Sequence, residues 1–320
     1  MTNMKKITVI GAGIMGHGIA QVFALAGFPV HIYDLTKDKL RNAITDISIN
    51  LDLYVDNELI SSDEKERALG QIQITSNLEE SLADTTFVIE AIPEDLQLKW
   101  DLYRTLETIC AQDVIIASNT STIPLTKLIQ HSIHPERFII AHFLNPAPLV
   151  PLVEVIKHKS TSNHVVKTTL SLLKKAGKTP ILLKKEIKGF VVNRIQAALL
   201  REALALIDDG VVDSEDMDQI IKDGPGFRWA FIGPIETVDY GGLDTWKRIF
   251  DSLFPDLNNS QTAPNHINEL VKENKLGAKT GEGIYSYQDT QINDLLTERD
   301  SNFLRLLHIK TKKMDKSLKA

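Results

Sequence analysis

A strand that runs straight into a glycine-rich turn constrains this chain more than any other feature. Residues 7–10 are apolar and lead into Gly11-Ala-Gly13-Ile14-Met15-Gly16, after which Ile19, Val22, Phe23 and Ala26 recur on one helical face. Gly27 ends that helix, residues 30–33 read as a second strand, and Asp34 follows at once. The first glycine permits the tight turn, the second lets backbone amides approach a pyrophosphate, and the third lets the helix pack closely on the strand. The helix N-terminus, with Ile14 and Met15 in its first turn, then faces the phosphates with its partial positive charge. Asp34 suits both hydroxyls of an adenosine ribose and repels a 2'-phosphate, so NAD is expected over NADP despite Lys37 and Lys39 nearby.

Short apolar runs recur at 72–75, 87–90, 114–118 and 139–143, with helical patterns between most of them. That alternation predicts an α/β class, a Rossmann-type doubly wound sheet. Such sheets bind ligands beyond the carboxyl ends of their strands. The polar residues of this chain gather there: Glu90 to Glu94, Ser118-Asn119-Thr-Ser121, and His142. After a strand at 179–183 and a turn at Gly189, the residues Val192, Ile195, Leu199, Ala203 and Leu206 step by three and four. They predict a helix over 190–208, then further helices around 214–222 and 241–254. The expected division is therefore 1–187 for dinucleotide binding and 188–320 for an all-α C-terminal domain. Its Lys-rich end, 310–319, reads as a solvated tail.

Residues 139–143 and 152–156 both read as strands, and the Pro-rich span between them reverses the chain. If they pair, His142 and Glu154 face each other. A buried carboxylate beside an imidazole fixes its tautomer and stabilises the ring once it has taken a proton, which is the design of an acid/base dyad. The plain alternative is a His that ends a strand and a Glu that meets solvent.

Composition removes several classes. A chain of 320 residues with 43% apolar content can bury a sizeable core. A formal charge of -6 without a basic patch outside the tail argues against nucleic acid. Cys110 is the only cysteine, expected to be buried and inert, and excludes an intrachain disulfide. Lys5-Lys6 before an apolar run imitates a secretory leader, but the glycines break it, and no stretch has membrane length. A cytoplasmic location is expected. No residues recur with metal-ligand spacing, so no metal is expected. The apolar content of the helical half exceeds the needs of one helical layer, so a homodimer is expected.

With the glycine turn, Asp34, Ser118-Asn119-Thr-Ser121, His142-Phe-Leu-Asn145-Pro, Glu154 and Gly189-Phe-Val-Val-Asn193-Arg in order, the chain resembles the 3-hydroxyacyl-CoA dehydrogenase family. The closing Leu276-Gly-Ala-Lys-Thr-Gly281-Glu-Gly283-Ile-Tyr285 is similar to that family's terminal pattern. The resemblance implies that His142 is the general base, that Glu154 orients it, and that Ser121 and Asn193 bind the reacting oxygen and thioester region. It implies that Asn145 supports the pocket and that Glu94, Lys99 and Asn119 lie near the NAD. On that basis the expected substrate is a short-chain 3-hydroxyacyl-CoA.

Two departures keep an alternative open. Relatives acting on CoA esters carry lysines in the helical arm after the second strand, whereas Asp46, Asp52, Asp56, Glu58, Asp63 and Glu64 populate 46–64 here with no Lys or Arg. Such charges oppose the phosphates of CoA. In addition, Gly224-Pro-Gly-Phe-Arg228-Trp229 resembles the gulonate and carnitine dehydrogenase branch, which implies Arg228 as a clamp for a free carboxylate. The substrate is thus an acyl-CoA or a free hydroxy acid.

Overall fold

The computed structural model describes residues 6–287 and 289–317, with side chains for 6–287 and 292–310. Among them an eight-stranded sheet runs in the order β3-β2-β1-β4-β5-β6-β7-β8. Its strands are β1 (Ile7–Ile10), β2 (Val30–Tyr33), β3 (Ile72–Thr75), β4 (Phe87–Glu90), β5 (Ile115–Ser118), β6 (Phe138–Phe143), β7 (Leu152–Ile156) and β8 (Thr179–Leu183). The first six are mutually parallel, β7 runs antiparallel to β6, and β8 runs parallel to β7. Residues of β1, β4, β5 and β6 are buried throughout. Covered on both faces, these strands read as continuous apolar runs rather than alternating ones.

The helices of this unit are α1 (Ile14–Leu25), α2 (Lys37–Asp56), α3 (Ser62–Gly70), α4 (Leu78–Leu82), α5 (Leu96–Ile109), α6 (Leu125–Leu128) and α7 (Asn163–Lys175). Their starts are chemically marked. Ser61 and Glu64 form a reciprocal capping box on α3, Asp95 caps α5 through the amide of Leu98, and Ser162 caps α7 through that of Val165. Gly27, at φ +80, closes α1. One apolar cluster joins α1, α2, β1 and β2 to β6 and β7. A second lies on the other face around Tyr103, Leu106, Ile116, Phe138 and Phe190, and it includes Cys110, buried as expected.

The chain divides into two units, one reaching to Val191 and resuming at Asp300, the other Val192–Arg299. The second unit is helical: α8 (Val192–Asp208), α9 (Ser214–Ile221), α10 (Phe227–Trp229), α11 (Pro234–Tyr240), α12 (Leu243–Leu253), α13 (Asn265–Lys272) and the start of α14 (Asp289–Ser317). The architecture is the expected one, a Rossmann-type sheet unit with a helical C-terminal part.

Three details differ from expectation. The helix expected from residue 190 starts at Val192, because Phe190 adopts φ +51, a left-handed conformation that a helix excludes. The segment expected as a solvated tail is helical through Ser317, and residues 318–320 lie outside the described residues. The portion from Asp300 groups with the sheet unit rather than the helical one, with Leu304 fully buried beside Tyr54 and Leu149. No described helix is long and apolar enough to cross a membrane.

The glycine turn depends on close backbone approach. A Cβ on Gly16 would lie 1.8 Å from the Gly11 carbonyl oxygen. Gly16→Ala is therefore expected to destabilise the sheet unit by about 2–3 kcal/mol, a typical cost of overpacking. A wild-type midpoint in chemical denaturation would show that the turn relaxes freely.

Candidate active site

The cradle at the end of β1 is built from backbone. Gly13 is the N-cap of α1, and no side chain caps that helix. Gly11 holds φ +107 with its amide on the Tyr33 carbonyl, and a Cβ there would meet the Ala91 carbonyl oxygen at 2.6 Å. At Gly13, in contrast, an added Cβ would meet nothing within 4 Å, and Gly13 and Ile14 are exposed while Met15 is half-buried. Open space over uncapped helical amides fits a dinucleotide pyrophosphate. Asp34 borders this space. Its Oδ2 accepts from the Ala12 amide at 3.0 Å and its Oδ1 from the Thr36 amide at 3.3 Å, so it also ties the glycine loop to β2.

At the next strand ends sits a buried charge network. Glu90, fully buried at the end of β4, accepts from Lys99 Nζ at 2.6 Å and the Ile92 amide at 2.9 Å through Oε1. Its Oε2 accepts from Tyr103 at 2.7 Å and Ser118 at 2.6 Å. Burial and the Glu90 carboxylate push the Tyr103 phenol well above its ordinary value. Lys99, expected near the cofactor, is 1% exposed and directs its ammonium to Glu90 and, at 3.4 Å, to Glu94. A charge this deeply buried needs paired partners, and both are protein carboxylates. Asn119 is likewise engaged, its Oδ1 accepting from the Phe143 amide at 2.9 Å and joining the ends of β5 and β6.

Glu94 braces the loop that carries Ser121. Its Oε1 accepts from the amides of Ser121 at 3.1 Å and Thr122 at 3.0 Å, and from the hydroxyls of Thr120 and Thr122. Burial pushes its carboxyl up, but these hydrogen bonds and Lys99 outweigh burial and hold it below the usual carboxylate range.

β6 and β7 pair with His142 directly opposite Glu154. Both are buried, and His142 Nδ1 lies 2.9 Å from Glu154 Oε2. With Nδ1–H donating to that carboxylate, Nε2 is left as an acceptor, 3.1 Å from the hydroxyl of exposed Ser121. Glu154 Oε1 accepts from the Val191 amide at 2.9 Å, and the Phe190 ring packs on His142 with centroids 5.4 Å apart. Neither contact was legible beforehand, although Gly189, at φ +72, marked the turn that makes them. Asn145 is exposed on the β6–β7 connection. Asn193 lies in the first turn of α8 and Arg228 on α10, both in the second unit, so neither is among the residues that the first unit gathers. Among the described residues no three or more His, Cys, Asp or Glu side chains gather as metal ligands would.

A dinucleotide cradle and a serine, histidine and glutamate chain at the same sheet edge define an NAD-dependent dehydrogenase. Family models described as the NAD binding domain and the C-terminal domain of 3-hydroxyacyl-CoA dehydrogenase match residues 6–187 and 189–287. The chain belongs to the 3-hydroxyacyl-CoA dehydrogenase family. It is 39% identical over 284 residues, 88% of this chain and 100% of the other, to a probable 3-hydroxybutyryl-CoA dehydrogenase of Deinococcus radiodurans. A crystal structure of 5-formyl-3-hydroxy-2-methylpyridine 4-carboxylic acid 5-dehydrogenase, an NAD+ dependent dismutase, aligns with TM-score 0.89 and 34% identity over 96% of this chain and 98% of that one. That of (S)-3-hydroxybutyryl-CoA dehydrogenase from Ralstonia eutropha aligns with TM-score 0.73 and 34% identity over 90% and 100%.

We predict that Asp34→Ser erodes the preference for NAD over NADP by at least tenfold, read as the ratio of kcat/KM for the two cofactors. An unchanged ratio would remove Asp34 from the ribose site.

Proposed function

We propose that this chain oxidises a hydroxyl group on a small free carboxylic acid, or the hydrated form of such an aldehyde, with NAD as acceptor. The single observation that carries the substrate class is the acidic arm. Asp46, Asp52, Asp56, Glu58, Asp63 and Glu64 on α2, α3 and their connection are all exposed, and Lys65, just beyond, is paired with Asp52 at 2.5 Å. A surface of this sign repels the phosphates of a CoA ester at the range of a Debye length, about 8 Å in physiological salt. The high TM-score to an enzyme named for a free pyridine carboxylate supports the same reading.

Gly11, Gly13, Ile14, Met15, Gly16 and Asp34 would hold the NAD, which when bound takes a hydride from the carbon bearing the hydroxyl. Ser121 donates to His142 Nε2 in the resting chain, and the substrate hydroxyl takes that place as donor. His142 removes the proton through Nε2, and Glu154, fixed by the Val191 amide, stabilises the ring as it becomes charged. Ser121 then turns its hydroxyl toward the substrate oxygen. In the reverse direction the charged ring returns the proton.

A second reading, a short-chain 3-hydroxyacyl-CoA substrate, is favoured by the identity to the Deinococcus radiodurans protein. The two separate in one assay: NADH consumption with acetoacetyl-CoA, against NAD reduction with 3-hydroxybutyrate, L-gulonate, L-carnitine and 5-formyl-3-hydroxy-2-methylpyridine 4-carboxylate. Turnover confined to free acids is expected, and efficient turnover of the thioester would overturn the first reading. In either case His142→Gln is expected to lower kcat by roughly 10²–10⁴-fold with NADH affinity unchanged. Substantial residual rate at all pH values would remove His142 from the base role.

We also propose that the second unit self-associates. Leu243, Ile249, Leu253 and Phe254 along and just after α12 are exposed, as are Val211, Phe227 and Ile235. Light scattering is expected to give twice the 35.8 kDa of the chain, and a monomer mass at micromolar concentration would exclude it.

A further inference from the structure

Lys178 is a buried cation that the proposed chemistry does not use. It is 8% exposed immediately before β8, and its ammonium donates to three backbone carbonyls: Ala147 at 2.6 Å, Pro148 at 3.1 Å and Val150 at 3.0 Å. An ammonium has three donors, and all three are spent on one turn. That turn joins β6, which ends just after His142, to β7, which begins just before Glu154. Its own amides close on it as well, Leu149 and Val150 both donating to the Pro146 carbonyl at 3.0 Å.

Other elements converge on the same few residues. Tyr54 of α2 donates to the Pro148 carbonyl at 3.0 Å, and Leu149 is buried against Tyr54 and Leu304. Gly18 of α1 comes so near that a Cβ there would lie 2.9 Å from Pro148 Cδ. Immediately beyond Lys178, the Thr179 amide donates to the Pro151 carbonyl at 2.8 Å and begins the β7–β8 ladder. Burial pushes the Lys178 amine down to about 8, while the three carbonyls, which need donors, favour the ammonium. A cation held in this position at the cost of desolvation points to a task that an apolar side chain could not perform.

We propose that Lys178 is a positioning residue of the active site: its ammonium clamps the 146–150 turn and thereby sets how His142 and Glu154 face each other. The ladders to β6 and β8 fix the register of β7, and the turn limits how far the strand start can shift within it, so play in the turn changes the distance and angle between Glu154 and His142. The catalytic half of this inference rests on His142 acting as base; the structural half does not.

Substitutions at Lys178, with a fallback at Tyr54, test it through amide exchange, ring signals, kcat and NADH affinity. Lys178→Met keeps the length and removes the donors. The chain is expected to fold, because the cavity of about 310 Å³ that Lys178 borders admits water to the freed carbonyls. Hydrogen exchange at the Leu149 and Val150 amides is expected to quicken at least tenfold, and the ring ¹⁵N signals of His142 to shift. With acetoacetyl-CoA or the free acid that the wild type turns over, kcat is expected to fall at least tenfold while the Kd of NADH stays unchanged. Lys178→Arg, which keeps the charge, should recover much of the loss. A folded Lys178→Met with wild-type exchange and wild-type ring signals overturns the proposal, even if activity drops. Loosened amides and shifted ring signals with unchanged kcat would overturn the catalytic half of the proposal and leave Lys178 a clamp on the turn alone, whereas a failure of the base assignment shows separately in His142→Gln. Should Lys178→Met not fold, Tyr54→Phe removes the other donor to Pro148 and is read by the same exchange and ring signals, with a twofold to fivefold effect expected and no effect overturning the clamp.

Discussion

The reversal of one strand is the constraint on which the site depends. In a parallel sheet, chemistry collects at the carboxyl ends of strands, and those ends belong to different segments of chain. Because β7 runs against β6, its beginning instead of its end reaches that edge, and Glu154 comes to lie directly across from His142. The strand is held from both sides, by β6 and by β8, so a slip of one residue would break two ladders at once. Both oxygens of the buried carboxylate are then accounted for, one by His142 and one by the Val191 amide. A buried carboxylate without such partners would cost several kcal/mol.

Glu90 is the instructive contrast. It too is a fully buried carboxylate at the end of a strand, and it too is satisfied, by Lys99, Tyr103, Ser118 and the Ile92 amide. Three of its four donors are themselves buried side chains, so the network is closed and rigidifies the ends of β4 and β5. Glu154 differs in having a partner with a second nitrogen, and that nitrogen leads to exposed Ser121. The difference between a structural acid and one that can take part in chemistry is whether its partner has a path outward. Glu94 links the two systems, drawing on Lys99 with one oxygen and holding the Ser121 loop with the other.

Charge is distributed unevenly around this sheet edge. The helix α1 offers amides and carries no Lys or Arg, whereas residues 46–64 of the α2–α3 arm expose carboxylates without a cation, the exposed Lys37, Lys39, Arg41 and Arg67 lying outside that stretch. The fold keeps the dinucleotide-binding architecture of its family. Family membership accounts for the reaction type, and the acidic stretch 46–64 is the feature on which the proposed substrate class rests.

Much of this was legible in the sequence alone. The limits of β1, β2, β3, β4, β7 and β8 coincide with apolar runs bounded by turn residues, because strand formation there needs only local propensity and burial. The glycine spacing and Asp34 were legible for the same reason: the parts lie within two dozen residues, and the glycines act through backbone conformation alone. The facing of His142 and Glu154 was also readable, since a short Pro-rich reversal between two strands leaves few ways to pair them. What tertiary structure decided was the fate of residues whose partners lie far along the chain. Lys99 matched a family position near the cofactor, and only the assembled sheet shows its ammonium enclosed by Glu90 and Glu94. Phe190 read as the first residue of a helix and took a left-handed conformation, with its ring on His142 and the next amide on Glu154. Lys178 carried no local signal at all, because the three carbonyls that hold it lie about thirty residues upstream. Propensity and periodicity act over a few residues, whereas the choice of partner for a buried charge depends on which strands become neighbours, and only the assembled sheet settles that.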